Sequence, residues 1–537
     1  MSAPVPPDLT AAVGLVVRGA REALKLGAWD VAEALAREAL VLDPTHAEAK
    51  TCLGRIRFHA QDYRAAIRYL SGGLCPDADP DAWLELARAH QTLLEWDSAI
   101  AAFLTAFKLR APTATQEAEL GHAYGNSGKF AAAASAFARS VAMQSDSAET
   151  WNDLGAMQLE MGDINAACTS FAQAVALRPD YVQAINNLGI ANEFKGDSAA
   201  VLSAAERLVA LKPNDPAFLQ KRGVARLANG MLKEGWIDYR ARFANPAHKG
   251  WHVGIPVPMW DGVSPLADKT ILVWSDQGLG EQLLTASLLP DVLAAAKRVV
   301  FSCEPRLAPL IARAFPAVRT VSLFDVPFGR ADLTGVDVQA SISELGPAFR
   351  PDFAQFPKHA GFLKADLDQV AALKARYMAL PGQGPLVGIS WRSTNALAKG
   401  NKTIDLAQWG PVLTMPGVKF VSLQYGDVAA ETASARGQVF VDPHIDPIKN
   451  VDAFAAQVAA MDVVVSISNT TVHMAGALNV PTLCLTPLVE GRPWYWFASL
   501  DVSPWYPSVR HIWQTQRRRW DNVMVRAAVG LRALIAR

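Results

Sequence analysis

Small and apolar residues in the first half of the chain recur with a long, regular period. Gly121, Gly155, Gly189 and Gly223 stand 34 residues apart, as do Leu120, Leu154 and Leu188, and Pro179 and Pro213 share that interval. The stretch from Trp151 to Pro179 carries the whole pattern: Trp151, Leu154-Gly155, Ala167, Phe171, Ala174 and Pro179. A period of this length predicts a helix–turn–helix unit stacked into a solenoid. Gly155 and Ala167 are small where the two helices of a unit must approach, and Phe171 and Trp151 fill the gaps between units. Pro179 ends the second helix, because it lacks an N–H and clashes with the preceding turn. About seven units run from near Val13 to near Asn245. In the last, Gly235-Trp236-Ile237-Asp238-Tyr239-Arg240 reads as a capping helix that turns into the next domain. Asn152, Asp153, Asn186 and Asn187 recur at first-helix positions, which line the concave face of a solenoid. Side-chain amides there can hold the backbone of an extended peptide without reading its sequence. The ladder is partial, since Glu119 and Lys221 occupy neighbouring repeats, and a solvated helix face is the equal alternative.

After Asn245 the period stops and apolar runs alternate with helix-like segments. TILVWSD, RVVFSCE, VRTVSLF and VDVQASI come first. The turn-rich stretch Leu380-Pro381-Gly382-Gln383-Gly384-Pro385 follows, then LVGISW, VKFVSLQY, VVVSISN and PTLCLTP. Strands alternating with helices predict parallel α/β structure. The expected architecture is an α solenoid over residues 1–245, then two Rossmann-like lobes over 246–383 and 384–537. Ligands of such lobes sit at the carboxyl ends of the strands, here in the cleft between lobes.

Composition narrows the function. Of the 537 residues, 51% are hydrophobic and 19% charged, enough for large cores. Lys+Arg and Asp+Glu both number 51, so no strong basic field exists to hold nucleic acid or anionic lipid. The five cysteines (Cys52, Cys75, Cys168, Cys303, Cys484) are scattered and form no C-x-x-C pair, which argues against zinc ribbons and thioredoxin-like redox chemistry. No apolar run approaches the ~18 residues of a membrane span, and the N-terminus has no basic cluster. A cytoplasmic protein with neither a nucleic-acid nor a membrane partner is expected.

Three motifs carry candidate chemistry. Ser275-Asp276-Gln277-Gly278-Leu279-Gly280-Glu281-Gln282 follows one strand and opens a helix. Gly278 and Gly280 allow a tight turn and close approach of a ligand, and Glu281 stands where a carboxylate can act as a general base. An ordinary strand-to-helix turn is the alternative. Val387-Gly388-Ile389-Ser390-Trp391-Arg392-Ser393, with Lys399 and Lys402 beyond it, delivers phosphate-binding residue types from a strand end. Val463–Ile467 runs into Ser468-Asn469-Thr470-Thr471-Val472-His473-Met474. Asn469 is a natural N-cap, Thr470 and Thr471 add hydroxyls, and the helix dipole turns its positive end toward the cleft. His473 lies about one turn further in. No D-x-D pair sits at a strand end of the second half.

The repeat resembles the tetratricopeptide repeat. The order DQGLGE, VGISWRS, FVSLQYGD, AAMDVVVSISNTTVHMAGALNVPTLCL, GRPWYWF and SPWYPSVRHIWQ resembles GT-B glycosyltransferases, in particular heptosyltransferase-like domains fused to tetratricopeptide repeats. Within that group the combination is similar to the flagellin glycosyltransferases of α-proteobacteria. The resemblance implies a GT-B fold and a metal-free, inverting protein O-glycosyltransferase with no cofactor beyond its nucleotide-sugar substrate. The donor it implies is a CMP-nonulosonate such as pseudaminic acid, and the acceptor is a Ser or Thr of flagellin captured by the repeats. Glu281 and His473 become the implied catalytic residues. Gly278, Gly280, Trp391, Arg392, Ser393, Lys402, Gln424, Asn469, Thr470, Thr471 and Met474 would bind the donor. Similar asparagines in the repeats of protein glycosyltransferases hold peptide acceptors, which assigns Asn152, Asp153, Asn186 and Asn187 to the acceptor. Two positions depart from the family pattern, which usually has Asp where Glu281 and Asn469 stand. These departures support a second reading, a scaffold for flagellins or assembly factors whose transferase domain has lost activity. A third keeps the chemistry and takes a saccharide as acceptor.

Overall fold

The computed structural model describes residues 7–245, 255–275, 278–393, 402–435, 438–489, 492–498 and 500–536. Asp276, Gln277 and Lys399 lie outside the described residues. The repeat pattern ends at 245, but packing divides the chain earlier, into compact units Met1–Ala191 and Asn192–Arg537.

The first unit is built of antiparallel helix pairs, such as Ala114–Asn126 with Phe130–Met143 and Ala148–Glu160 with Ile164–Leu177. Side-chain caps start many of these helices: Asp62, Asp79, Thr113, Ser147 and Asp163 each accept a backbone N–H of the first turn. The periodic glycines have a steric cause. A Cβ on Gly121 would stand 2.8 Å from the Phe137 ring, and one on Gly155 2.8 Å from that of Phe171. Phe137 and Phe171 are fully buried against these gaps. The helix Ile164–Leu177 stops two residues before Pro179.

In the second unit, the helices Ser198–Leu211, Pro216–Ala228 and Leu232–Tyr239 complete the repeat pattern. Two parallel sheets follow. The first contains β1 (Thr270–Trp274), β2 (Arg298–Cys303), β3 (Val318–Ser322) and β4 (Val338–Ala340), in the order β3-β2-β1-β4. The second contains β5 (Leu386–Ser390), β6 (Lys419–Ser422), β7 (Val439–Phe440), β8 (Val463–Ile467), β9 (Thr482–Thr486) and β10 (Val509–Trp513), in the order β10-β9-β8-β5-β6-β7. Val273 pairs with both Phe301 and Ala340, and Gly388 with both Val421 and Val464. Every residue of β5, β8 and β9 is buried, as expected where helices cover both faces of a parallel sheet. The helix Asp521–Ile535 covers one face of the second sheet, with Met524, Ala527 and Leu531 packed among Val463, Val465 and Leu483.

The segment expected to cap the solenoid and turn into the next domain packs into the α/β core. Trp236 is 0% exposed, and its Nε1 donates to the carbonyl of Arg350 at 2.9 Å. Its ring lies edge-on to Trp494 at 5.1 Å and leaves so little room that a Cβ on Gly346 would approach it to 2.6 Å. Arg242, 1% exposed, stacks on Tyr239 and Phe243 and donates to the Ser343 hydroxyl at 3.0 Å. Asp238 is buried but receives Arg222 at 2.7 Å and Arg226 at 2.8 Å. The last hairpin therefore folds as part of the second unit, because its indole and guanidinium find their partners on the first sheet's helices and loops. Trp236→Ala is expected to cost about 3–5 kcal/mol and to lower the melting temperature seen by calorimetry. Ile237→Ala, one position on and 67% exposed, should stay within about 0.5 kcal/mol of the parent. Unchanged melting of Trp236→Ala would separate the last hairpin from the stability of the sheets.

Candidate functional site

The topology of each sheet selects one crevice. In the first, the chain steps from β1 outward to β3 and returns to place β4 on the other side of β1. In the second, it steps from β5 outward to β7 and returns to place β8 on the other side of β5. Such reversals open a crevice at the carboxyl ends of the two central strands, where ligands of open α/β sheets bind. The first motif leaves β1 at one reversal. The second and third leave β5 and β8 at the other.

The helices that follow these strands meet. Leu279–Ala286 packs on Thr470–Ala477, and a Cβ on Gly280 would lie 2.9 Å from Cδ2 of His473. Gly280 is thus required by the contact between helices, a different reason from the ligand approach expected of it. Gly278 is exposed and forms the N-cap in extended conformation, which needs no glycine. Glu281 is half-buried, and its Oε1 accepts the hydroxyl of Tyr495 at 3.0 Å. It also borders a small hollow formed by Tyr239, Ser275, Thr285, Ile342 and Trp494. The two expected catalytic residues therefore share one locus, but in different settings. His473 is 4% exposed, with Nδ1 at 2.9 Å from the Tyr506 hydroxyl and Nε2 at 3.4 Å from that of Tyr495. Burial, with the Lys402 charge beside it, pulls the imidazole down to about 3, so it is neutral. Both ring nitrogens face tyrosine hydroxyls, an arrangement that suits a positioning role.

Asn469 caps the helix as expected, its Oδ1 accepting Thr471 N–H at 3.0 Å. Its Nδ2 donates to Ser390 Oγ at 2.8 Å, which ties the ends of β8 and β5 together. Thr470 is half-buried at the first turn. Thr471 is fully buried, and its hydroxyl has no hydrogen-bond partner among the described residues. Met474 is 0% exposed and belongs to the apolar core.

The second motif is largely held by the protein itself. Gln424, 4% exposed, accepts the backbone N–H groups of Trp391 at 2.8 Å and Arg392 at 2.9 Å. Its carboxamide thereby shapes the exit of β5. Trp391 is buried and donates to Glu431 at 2.6 Å, and Arg392 pairs with the same carboxylate at 2.9 Å. Ser393 is buried too. Lys402 differs. It is half-buried, and burial pulls its ammonium below the usual lysine range while the nearby Glu281 carboxylate opposes that shift. Glu281, Lys402 and the start of the third-motif helix thus gather at the paired crevices. Tyr495 and Tyr506 complete the cluster. They stand in the aromatic stretches GRPWYWF and SPWYPSVR, and no local pattern marks these two hydroxyls as partners of a glutamate and a histidine. Among the described residues no three His, Cys, Asp or Glu side chains gather as a metal cluster, and no helix is long and apolar enough to cross a membrane.

The acceptor candidates lie in the first unit, on a face where first helices bond to their neighbours. Arg21 reaches Glu48 at 3.0 Å, Arg55 Glu85 at 3.0 Å, Arg88 Glu119 at 3.0 Å, and His122 Asp153 at 3.4 Å. Asn187 Nδ2 then donates to Asn152 Oδ1 at 2.9 Å. Asn152 is 1% exposed, and burial raises the Asp153 carboxyl above its ordinary range. Asn186 and Asn187 are half-buried. Asn152, Asp153 and Asn187 are rungs between repeats. A cavity of about 640 Å³ opens on the first three repeats, lined by Arg21, Lys25, Trp29, Arg55, His59 and Asp81 among others.

His473 and His511, both drawn down to about 3 by burial, give a pH test. In the unfolded chain each takes a proton near pH 6.5, whereas the folded protein refuses it. Stability is therefore complete above about pH 6.5 and falls as pH drops from there toward 3. Melting temperature measured from pH 8 to 4 should fall on the acid side, and His473→Gln should flatten that fall by the share of one proton. An unchanged slope in the variant would mean that His473 charges freely in the fold.

The tetratricopeptide repeat family matches residues 17–82 and 118–182. Protein FlbA of Caulobacter vibrioides is 35% identical over 340 residues, which is 60% of this chain and 56% of that protein. The chain thus spans little more than half the length of this relative. Among solved structures, MamA from Desulfovibrio magneticus is 18% identical, covering 31% of this chain and 95% of that one at a TM-score of 0.29. YrrB, a repeat protein with an unusual peptide-binding site, is 15% identical, covering 34% of this chain and 96% of that one at a TM-score of 0.31. The helical half of the chain is a tetratricopeptide-repeat solenoid, and parallel sheets follow it.

Proposed function

We propose that the protein is a glycosyltransferase of the GT-B kind, which moves a sugar from a nucleotide-activated donor to a Ser or Thr hydroxyl of a protein held by the repeats. The observation that carries this reading is the convergence of two strand-order reversals on one cluster. A carboxylate, Glu281, and a cation, Lys402, sit there beside the helix that Asn469 caps. In the reaction, Glu281 takes the proton of the acceptor hydroxyl. The acceptor oxygen bonds to the anomeric carbon while the bond from that carbon to the phosphate oxygen breaks, and its electrons leave with the phosphate. Lys402 and the backbone N–H groups at the start of the helix Thr470–Ala477 stabilise that developing charge. Trp391, Ser393 and Gln424 shape the loop that carries Arg392. Motif resemblance supports a CMP-nonulosonate as donor, flagellin as acceptor and a site that works without a metal.

The pairing of Arg392 with Glu431 favours one other reading, a repeat scaffold without transfer activity, because it removes a phosphate-binding cation from the expected set. Donor binding separates the two. A transferase should melt higher in the presence of the CMP sugar, and a scaffold should not.

Incubation with the CMP sugar and flagellin should add the mass of the sugar to flagellin, read by intact-protein mass spectrometry. Glu281→Gln keeps the size of the side chain and removes its basicity, and should lower turnover by about 10²–10⁴-fold with the donor-induced melting shift retained. Glu281→Asp should keep substantial activity. Normal turnover in Glu281→Gln would remove the base from this residue, and a parent protein that neither binds donor nor adds mass would leave the scaffold reading.

A further inference from the structure

Outside Glu281 itself, the cluster contains three buried groups that the proposed reaction does not use: Tyr495, His473 and Tyr506, which are 4%, 4% and 0% exposed. They form a chain. Tyr506 Oη lies 2.9 Å from His473 Nδ1, Tyr495 Oη lies 3.4 Å from His473 Nε2, and Tyr495 Oη lies 3.0 Å from Glu281 Oε1.

Counting hydrogens gives the chain a direction. A base must be ionised, and an ionised carboxylate only accepts, so with Glu281 as the base the single Tyr495 hydrogen goes to Glu281. The Tyr495 oxygen then faces His473 with lone pairs alone, which puts the imidazole hydrogen on Nε2. Nδ1 is left as an acceptor and takes the hydrogen of Tyr506. Every hydrogen in the chain points toward Glu281. The opposite order would turn the Tyr495 hydrogen to His473 and require a protonated Glu281 to supply the hydrogen between the two oxygens at 3.0 Å, a form that could not act as a base.

We propose that Tyr495 is a positioning residue that holds the Glu281 carboxylate in its ionised form, and that His473 and Tyr506 set the direction of the hydrogen bonds that make it do so. The inference rests on the reading of Glu281 as the base. With Oε1 held, the carboxylate is oriented before the acceptor arrives, so less rotational freedom is lost on the way to the transition state. The Gly280 contact fixes the imidazole ring against the helix that carries Glu281, so the anchor and the anchored group move together.

Two measurements on the full chain test this. The first is the ¹⁵N spectrum of histidine-labelled protein, with His473→Gln to assign the signal. His473 should show a protonated Nε2 and a bare Nδ1 from pH 8 to 5, without titrating. A proton on Nδ1, or a ring that titrates near pH 6.5, overturns the chain whether or not the protein transfers sugar. The second is the split between kcat and KM in Tyr495→Phe and Tyr506→Phe, which keep the rings. Tyr495→Phe should lower kcat about 10–100-fold with the donor KM unchanged, and Tyr506→Phe should lower it less. Parental kcat in a folded Tyr495→Phe protein overturns the positioning role and leaves the transferase reading standing. A parent protein that transfers nothing overturns both, and the tautomer signal then shows a hydrogen-bond chain without catalytic use.

Discussion

A neutral imidazole pressed against a glycine holds the candidate site together. His473 sits on the helix after β8, Gly280 on the helix after β1, and a Cβ at 280 would come within 2.9 Å of the ring. The two helices can approach this closely only because position 280 has no side chain. Burial makes a charged ring costly there, and the ring meets that constraint by staying neutral with both nitrogens at tyrosine hydroxyls. Glu281 follows Gly280 directly, so the same contact sets where its carboxylate stands. Lys402 and the N-terminus capped by Asn469 come to this place because the carboxyl ends of the second sheet's central strands face it.

The two positions that differ from the GT-B motifs the sequence resembles have specific partners. At Asn469, oxygen and nitrogen do different work: Oδ1 caps the helix, and Nδ2 donates to Ser390. An aspartate would offer acceptors alone. The Ser390 hydroxyl, now directed at Gln424 at 3.1 Å, would then be drawn to position 469. The asparagine is therefore part of the network that shapes the exit of β5. Glu281 has one methylene more than aspartate, and its carboxylate reaches the hydroxyl of Tyr495.

The inner face of the solenoid is polar and paired. Ion pairs such as Arg55–Glu85 and Arg88–Glu119 join one first helix to the next, and Asn152 and Asn187 continue the series with a carboxamide pair. Such rungs hold neighbouring repeats in register and satisfy groups that close packing has removed from water. A polypeptide lying along this face therefore meets side chains already bonded to one another. The half-exposed Arg88–Glu119 pair contributes little and can open for a partner at small cost, whereas opening Arg55–Glu85 would leave the buried Glu85 unpaired, and the buried Asn152 cannot turn outward without unpacking its helix.

The chain order alone determined the solenoid, its period and the parallel α/β character of the second half. Each of these rests on interactions between residues close in sequence. Gly155 makes room for Phe171 sixteen positions later, inside the same hairpin, and buried strands such as VVVSI announce themselves by unbroken apolar runs. The N-cap at Asn469 was equally legible, since it bonds two residues away. Tertiary structure decided the rest. It drew the last hairpin into the α/β unit, because Trp236 pairs with Arg350 across 114 positions. It engaged Arg392 with Glu431 and gave Gln424 to the backbone. It also brought Tyr495 to Glu281 across 214 positions. A hydroxyl or an ammonium carries no mark in sequence of the group it will face. That pairing is set when separate sheets pack and buried polar atoms must find partners, which is a property of the packed whole and not of any segment.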